Sequence, residues 1–255
     1  MRVRVLLCAA ALGTTAALAG AVPEAEAAHH SLSFSFVHTK VTANTRPQLT
    51  VRSHGYGKKI VFHLQRQMGT RHVYQNIATL HVKNGLVTAP KVPMGKYRYR
   101  IVARKGKRVF AVSAARSLTS FGRVSFATLL GGGHPTRTTT VGGHTFNYVE
   151  MPNLQSYMYD DTGTPVWQMT HSTCRALHLD VAVGTDGGDR TDALTLAQAT
   201  RDPQRVDLPT GEISSANFTM VPGQSWSLAI SGDYYMYLNG YGECFNDSAV
   251  TFSQG

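Results

Sequence analysis

The densest group of chemically distinctive residues is a set of seven basic side chains within thirteen residues. They are Lys96, Arg98, Arg100, Arg104, Lys105, Lys107 and Arg108. No Asp or Glu occurs between Glu26 and Glu150, a stretch that holds 19 Lys and Arg, so local ion pairs cannot neutralise them. Cations in this state attract the phosphate or sulfate groups of a wall polymer, an acidic glycan or a nucleic acid. The alternative is a solvated strand edge whose charges prevent edge-to-edge aggregation.

The alternation around these cations limits the anion that they recognise. Tyr97 and Tyr99 alternate with Lys96, Arg98 and Arg100, so a regular strand puts the rings on the opposite face. Base stacking needs aromatic rings beside the cations, and the sequence has no helix-turn-helix or zinc-finger motif. We therefore expect generic polyanion binding and no sequence-specific readout of nucleic acid.

Aromatic residues near the end of the chain suit a second kind of ligand. Tyr235, Tyr237 and Asn239 share one face of a predicted strand, and Tyr241 follows just beyond. Aromatic faces beside amides or carboxylates bind sugar rings, so this row predicts a carbohydrate platform. The alternative is that the rings cap a β-sandwich.

Signals for metals and catalysis are weaker. Asp186, Asp189 and Asp192 lie in a glycine-rich loop that would suit calcium, but their spacing matches no complete calcium-loop signature. Cleavage before Ala28 would expose Ala28-His29-His30, which suits copper or nickel. No nucleophile elbow, metalloprotease helix or phosphate-binding loop is present. The carboxylates left as candidates for sugar hydrolysis are Asp160, Asp161, Asp233 and Glu243. We expect a non-enzymatic protein with no cofactor and no metal.

The start of the chain has the features of a secretory signal. Arg2 and Arg4 precede an apolar run and small residues that end before Ala28, so residues 1–27 are predicted to be cleaved. No later segment has the roughly 20 apolar residues that span a membrane. Cys8 leaves with the signal, and the two remaining cysteines, Cys174 and Cys244, are expected to form a disulfide outside the cell.

Short alternating apolar runs separated by turn residues predict an all-β protein. We expect a small basic sandwich over residues 28–129 and a jelly-roll-like sandwich over residues 143–255. The glycines and Pro135 of residues 130–142 predict a linker between them. In the second sandwich, the alternating residues of segments 177–183 and 226–230 should face one core.

The two halves carry opposite charge. From Glu150 to Gly255 there are 13 acidic residues and 4 basic ones, against 19 basic and none acidic between Glu26 and Glu150. A structural protein whose basic domain docks on its own acidic domain is therefore an alternative to an external ligand.

Two stretches resemble known families. Gly95-Lys-Tyr-Arg-Tyr-Arg-Ile-Val-Ala resembles the late strands of bacterial immunoglobulin-like domains. The stretch from Ser172 to Val183 and the stretch Tyr237-Leu-Asn-Gly-Tyr-Gly-Glu-Cys244 resemble the galactose-binding-like sandwiches of NPCBM type found in secreted actinobacterial proteins. The resemblance implies recognition of sugar or cell wall. We therefore expect a secreted binding protein for a cell-wall or extracellular polyanion or carbohydrate, with a neutral sugar as a further partner.

Overall fold

The computed structural model describes residues 30–68, 73–81, 84–131, 134–150, 166–169, 172–184, 192–231 and 236–246. In this part of the chain every regular element is a strand except the helical turn α1 (Phe126–Leu129). The first nine strands are β1 (Ser31–Phe36), β2 (Lys40–Thr42), β3 (Gln48–His54), β4 (Val61–Met68), β5 (Val73–Leu80), β6 (Gly85–Thr88), β7 (Gly95–Lys105), β8 (Arg108–Val112) and β9 (Arg116–Ser125). The others are β10 (Thr136–Val141), β11 (His144–Val149), β12 (Val166–Met169), β13 (Cys174–Val183), β14 (Asp192–Gln198), β15 (Arg201–Leu208), β16 (Ile213–Thr219), β17 (Trp226–Ser231) and β18 (Met236–Cys244). This confirms the predicted all-β class.

The N-terminal half is an immunoglobulin-like sandwich of two sheets. One sheet has the order β1-β3-β6, and the other contains β9-β7-β4-β5. In β7, Tyr99 and Ile101 are fully buried, as the alternation predicts, and they pack against Leu49 and Val51 of the opposite sheet. The burial of these apolar faces is the main stabilising contribution to this half.

The C-terminal half is a second sandwich, whose sheets are β16-β13-β18 and β12-β17-β14-β15. Leu177 and Leu179 of β13 are buried in the same core as Trp226 and Leu228 of β17. The prediction that these two strands face one core is confirmed.

Strand β9 belongs to both sandwiches. Its first half pairs with β7, with Leu118 opposite Tyr97, and its second half pairs with β18, with Val124 opposite Gly242. The result is one nine-stranded sheet through both halves. Leu118 lies in the first core and Val124 in the second. Because these two residues are an even number of positions apart, both cores lie on the same side of this sheet.

The segment expected to be a linker contains strand β10, which forms a hairpin with β11. Its threonines are β-branched and therefore suit an extended strand. Val141 and Phe146 of the hairpin cover Ala182 on the side of the nine-stranded sheet that faces away from the core. The second core also takes in Phe126 and Leu129, which precede the predicted linker. The domain boundaries themselves stay a prediction.

Cys174 and Cys244 form the predicted disulfide between neighbouring strands β13 and β18. Both residues are buried in the second core. Cys244 also lies opposite Gly122 of β9, so the disulfide holds β18 where it meets the strand shared by both sandwiches. Among the described residues, no helix has the length and apolar character needed to cross a membrane.

Candidate polyanion-binding face

The nine-stranded sheet presents one side away from both cores, which we call the outer face. Strand register places the start of the basic stretch on it. Lys96 is opposite Thr119 and Arg98 is opposite Ser117, whereas the intervening Tyr97 is opposite the buried Leu118. Successive outward residues of a strand are about 6.8 Å apart. Lys96, Arg98 and Arg100 therefore form a straight row about 13 Å long.

The three cations of this row have different surroundings. Lys96 is exposed, and its Nζ lies 4.0 Å from the centre of the Phe245 ring. Arg98 is exposed. Arg100 is half-buried, donates from Nε to Gln65 Oε1 at 2.8 Å and lies over the Tyr74 ring at 4.0 Å. The row thus combines two exposed charges with one half-buried charge that is held by a hydrogen bond.

The other predicted cations lie at the opposite end of β7. Lys105, Lys107 and Arg108 are exposed around the turn at Gly106, whose φ of 60° favours glycine. Arg104 is half-buried beside this turn. From Lys96 to Lys105 the strand extends about 30 Å. The seven cations are therefore not one cluster but the two ends of a long basic strip.

These cations have no carboxylate partner in the described part of the chain. The Arg–carboxylate ion pairs found there join Arg137 to Glu150, Arg175 to Glu243 and Arg205 to Asp207, each at 2.8 Å. The positive charge on the row and the turn is thus uncompensated by neighbouring side chains. The lack of carboxylate partners also bears on the alternative in which the basic domain docks on the acidic domain. In the described residues the halves meet through main-chain pairing of β9 with β18 and not through ion pairs of the seven cations.

Aromatic and basic side chains continue the outer face across the joint between the halves. The Phe245 ring lies 5.9 Å from that of Phe121, a residue of β9 that is buried although it points away from the cores. The Arg175 guanidinium lies 4.7 Å from the Phe121 ring centre and also pairs with Glu243. These contacts bury the joint and carry the basic strip towards the second sandwich.

Arg123 is a functional candidate that the sequence did not indicate. It lies on the outer face opposite Glu243, and its Cζ is 4.4 Å from the centre of the Tyr241 ring. Alternation along β9 puts Arg123 on the same face as Phe121. This could be recognised only once β9 was known to be a strand shared by both sheets. Arg123 extends the row of exposed cations to the C-terminal side of the joint.

In the described part of the predicted row, Tyr237, Asn239 and Tyr241 are on the outer face, since Met236 and Leu238 are buried in the core. The rings of Tyr237 and Tyr241 pack against neighbouring side chains. Tyr237 packs against Tyr148 of the β10–β11 hairpin, with ring centres 4.7 Å apart. Asn239 Oδ1 accepts a hydrogen bond of 2.8 Å from the N–H of Gly240. Tyr235 lies outside the described residues.

Tyr241 contacts a neighbour on each flanking strand. The His178 ring of β13 stacks on it at 4.8 Å, and Arg123 of β9 lies over it from the other flanking strand. His178 Nδ1 is 2.6 Å from Asn217 Oδ1, and its Nε2 is 4.0 Å from Glu243 Oε1. A sugar could stack on Tyr241 only by displacing these partners. Its role in carbohydrate binding stays a prediction.

Only one of the four carboxylates expected for hydrolysis lies in the described part of the chain. Asp160, Asp161 and Asp233 lie outside the described residues, whereas Glu243 is engaged by Arg175. The other acid on this side of β13 and β18 is Asp180, which lies four positions along β13 from the residue opposite Glu243. That offset is about 13 Å, whereas paired glycosidase carboxyl groups are about 5 to 9.5 Å apart. These two acids do not form a hydrolytic pair.

The candidate metal ligands are likewise only partly within the described residues. Asp186, Asp189, Ala28 and His29 lie outside the described residues. Asp192 is buried at the start of β14, and the His30 ring stacks on Tyr56 at 5.0 Å. Within the described ranges no three His, Cys, Asp or Glu residues are grouped as metal ligands.

One buried group beneath the row has a shifted pKa. Burial raises the pKa of the Tyr99 hydroxyl above its ordinary value, and the charge of the nearby Arg66 opposes this shift without cancelling it. Tyr99 is therefore a neutral part of the core below the cations.

Comparison with known proteins identifies no relative. No protein-family model matches the sequence, and no curated protein matches it. Among solved structures, the FN1–FN3 domains of chicken CNTN1 are 14% identical with a TM-score of 0.28, and the match covers 82% of this chain and 63% of that one. A SusE-like protein is 11% identical with a TM-score of 0.27, covering 83% of this chain and 97% of that one.

Another similar structure is SGBP-B of Bacteroides ovatus in complex with a mixed-linkage heptasaccharide. It is 10% identical with a TM-score of 0.22, and the match covers 80% of this chain and 50% of that one. This chain thus spans less than two thirds of the CNTN1 and SGBP-B structures. Similarity at this level identifies neither a family nor a ligand for the chain.

Proposed function

We propose that this chain is a secreted, non-enzymatic binding protein that holds a linear polyanion, such as an acidic cell-wall polymer or acidic glycan, along its outer face. The observation that carries the proposal is the row of Lys96, Arg98 and Arg100, aligned on one face and without carboxylate partners in the described residues.

Like charges in line repel one another, so the row costs stability unless an anion is bound. A polymer with regularly spaced anionic groups can neutralise all three cations and release its own condensed counterions, which favours binding. A row of cations along a strand suits an extended chain better than a small anion. Tyr241 and Asn239 are half-buried further along the same face, and a sugar unit of such a polymer would stack on Tyr241 in place of His178 or Arg123.

The predicted export supports the same function. The buried Cys174–Cys244 disulfide suits an oxidising compartment, and residues 1–27 are the predicted signal. A protein released from the cell meets wall polymers and extracellular glycans.

Retention on immobilised heparin tests the proposal. The variant Lys96→Ala/Arg98→Ala/Arg100→Ala should elute at clearly lower salt than the wild type. The matched control is Arg52→Ala/Lys58→Ala/Lys59→Ala, which removes the same charge from exposed positions of the same half. Arg52 alternates with the buried Val51 and so points away from the core on the opposite sheet. Equal losses in both variants would show that only net charge matters and would refute a binding face.

A further inference from the structure

Strand β2 adds a lysine to the outer face that the basic stretch does not contain. β2 pairs with β9 in parallel, with Lys40 opposite Thr119, and β7 pairs with the same part of β9, with Lys96 opposite Thr119. Because both strands pair with Thr119 and Ser120, they lie on opposite edges of β9. Lys40, Thr119 and Lys96 are therefore side by side on one face, with the threonine in the middle.

The spacing of this group suits a single shared anion. Neighbouring strands are about 4.8 Å apart, so the backbones at Lys40 and Lys96 are about 10 Å apart. Each side chain has four methylene groups and can reach over Thr119 from its own side, Lys96 by leaving its contact with the Phe245 ring. Both lysines are exposed, and neither has a carboxylate partner within the described residues. Two ammonium groups at this distance repel each other unless an anion lies between them.

The surface next to Lys40 continues the same chemistry. A depression of ≈ 320 Å³ is lined by Lys40, Thr42, Arg46 and His38, together with Thr45. Thr45 is held by a 2.6 Å hydrogen bond from its hydroxyl to the carbonyl of Thr42, after a turn in which Asn44 has a φ of 63°. Lys40, Arg46 and Thr42 carry hydrogen-bond donors here beside the apolar Val41 and Pro47, and the acid-free half supplies no carboxylate to compete.

We propose that Lys40 and Lys96 hold one phosphate or sulfate group of the polymer between them, above the hydroxyl of Thr119. Donors that converge from three strands suit the three terminal oxygens of a phosphate or sulfate monoester better than the two oxygens of a planar carboxylate. The subsite rests on the proposed function, because it is one position along the same polymer-binding face. It also defines the ligand class as a linear polymer esterified with phosphate or sulfate.

Three probes with the full-length protein distinguish the chemistry: a short polyphosphate, a heparin octasaccharide and an oligogalacturonate that carries carboxylates alone. Binding constants at fixed salt would be measured for Lys40→Ala, Lys96→Ala, the double variant, Thr119→Val, Arg98→Ala and the control Arg52→Ala. We expect Lys40→Ala and Lys96→Ala each to weaken binding of polyphosphate or heparin about threefold or more, with the double variant weakening it by little more than either. Thr119→Val should weaken the same probe at an unchanged melting temperature.

Polyphosphate affected more than heparin would assign a phosphate polymer, and the reverse would assign a sulfated one. Equal effects on the oligogalacturonate would overturn the preference for a tetrahedral group. Independent losses from Lys40→Ala and Lys96→Ala would overturn the shared site, and the proposed function would stand if Arg98→Ala still weakened binding. If neither Lys96→Ala nor Arg98→Ala weakened any probe, the proposed function itself would fail.

Discussion

Removal of the Cys174–Cys244 disulfide should strongly destabilise the protein. The two cysteines are 70 residues apart in sequence, and closing a loop of that length restricts the unfolded chain by about 4 kcal/mol in the chain-entropy model. For a chain of this size, such a loss lowers the melting temperature by about 8 to 16 °C. We expect Cys174→Ala/Cys244→Ala to show a loss of this magnitude.

Urea unfolding followed by circular dichroism measures this effect as a change in the midpoint. Reduced wild-type protein, unfolded and refolded in reductant, is the control, because both cysteines are buried and a reductant reaches them slowly in the native state. It should match the double variant. A difference under about 1 kcal/mol between oxidised and variant proteins, at an unchanged slope, would refute the reasoning.

Three further outcomes follow from the described structure. Gly240→Ala should destabilise by about 2 kcal/mol or more, because the φ of Gly240 is 141° and a Cβ there would collide with the His178 carbonyl oxygen. The control Gly143→Ala, at a φ of 80° in open space, should cost about 1 kcal/mol. Equal urea midpoints for the two variants would contradict this expectation. Small-angle scattering should give the same dimensions at low and high salt, because the halves are joined by the pairing of β9 with β18, and expansion with salt would support electrostatic docking instead. Burial raises the pKa of Tyr99 in the folded state, so the contribution of Tyr99 to stability is complete below the pKa that it has in the unfolded chain. This contribution is lost as the pH rises through the higher pKa of the folded state. Tyr99→Phe should therefore reduce the fall in unfolding free energy above about pH 10, and an unchanged alkaline slope in urea titrations would be evidence against this.

The sequence predicted the features that depend on local patterns. Alternation of Tyr99 and Ile101 with Arg98 and Arg100 fixed which side of β7 carries charge, and the burial of the tyrosine and isoleucine agrees. The disulfide followed from the number of cysteines left after the predicted signal, and its pairing is confirmed. Both inferences use information from a single strand or a single residue type.

The features that depend on pairing between distant strands could not be predicted. Nothing in the alternation marks β9 as a strand, since Ser117, Gly122 and Arg123 interrupt its apolar residues. The pairing of β9 with β18 joins positions more than 100 residues apart, and such contacts have no local sequence signal. For the same reason the alignment of Lys40 with Lys96 and the covering of Tyr241 became visible only in the structure.

The salt dependence of polyanion affinity tests the central claim most directly. Binding constants for a heparin octasaccharide would be measured over a range of salt concentrations for the wild type, Lys96→Ala/Arg98→Ala/Arg100→Ala and Arg52→Ala/Lys58→Ala/Lys59→Ala. If each cation releases about 0.7 counterion on binding, the logarithmic salt slope of the first variant should be lower than that of the wild type by about 2. The second variant should keep the wild-type slope. Identical slopes for all three proteins would contradict the assignment of the outer face as the binding surface.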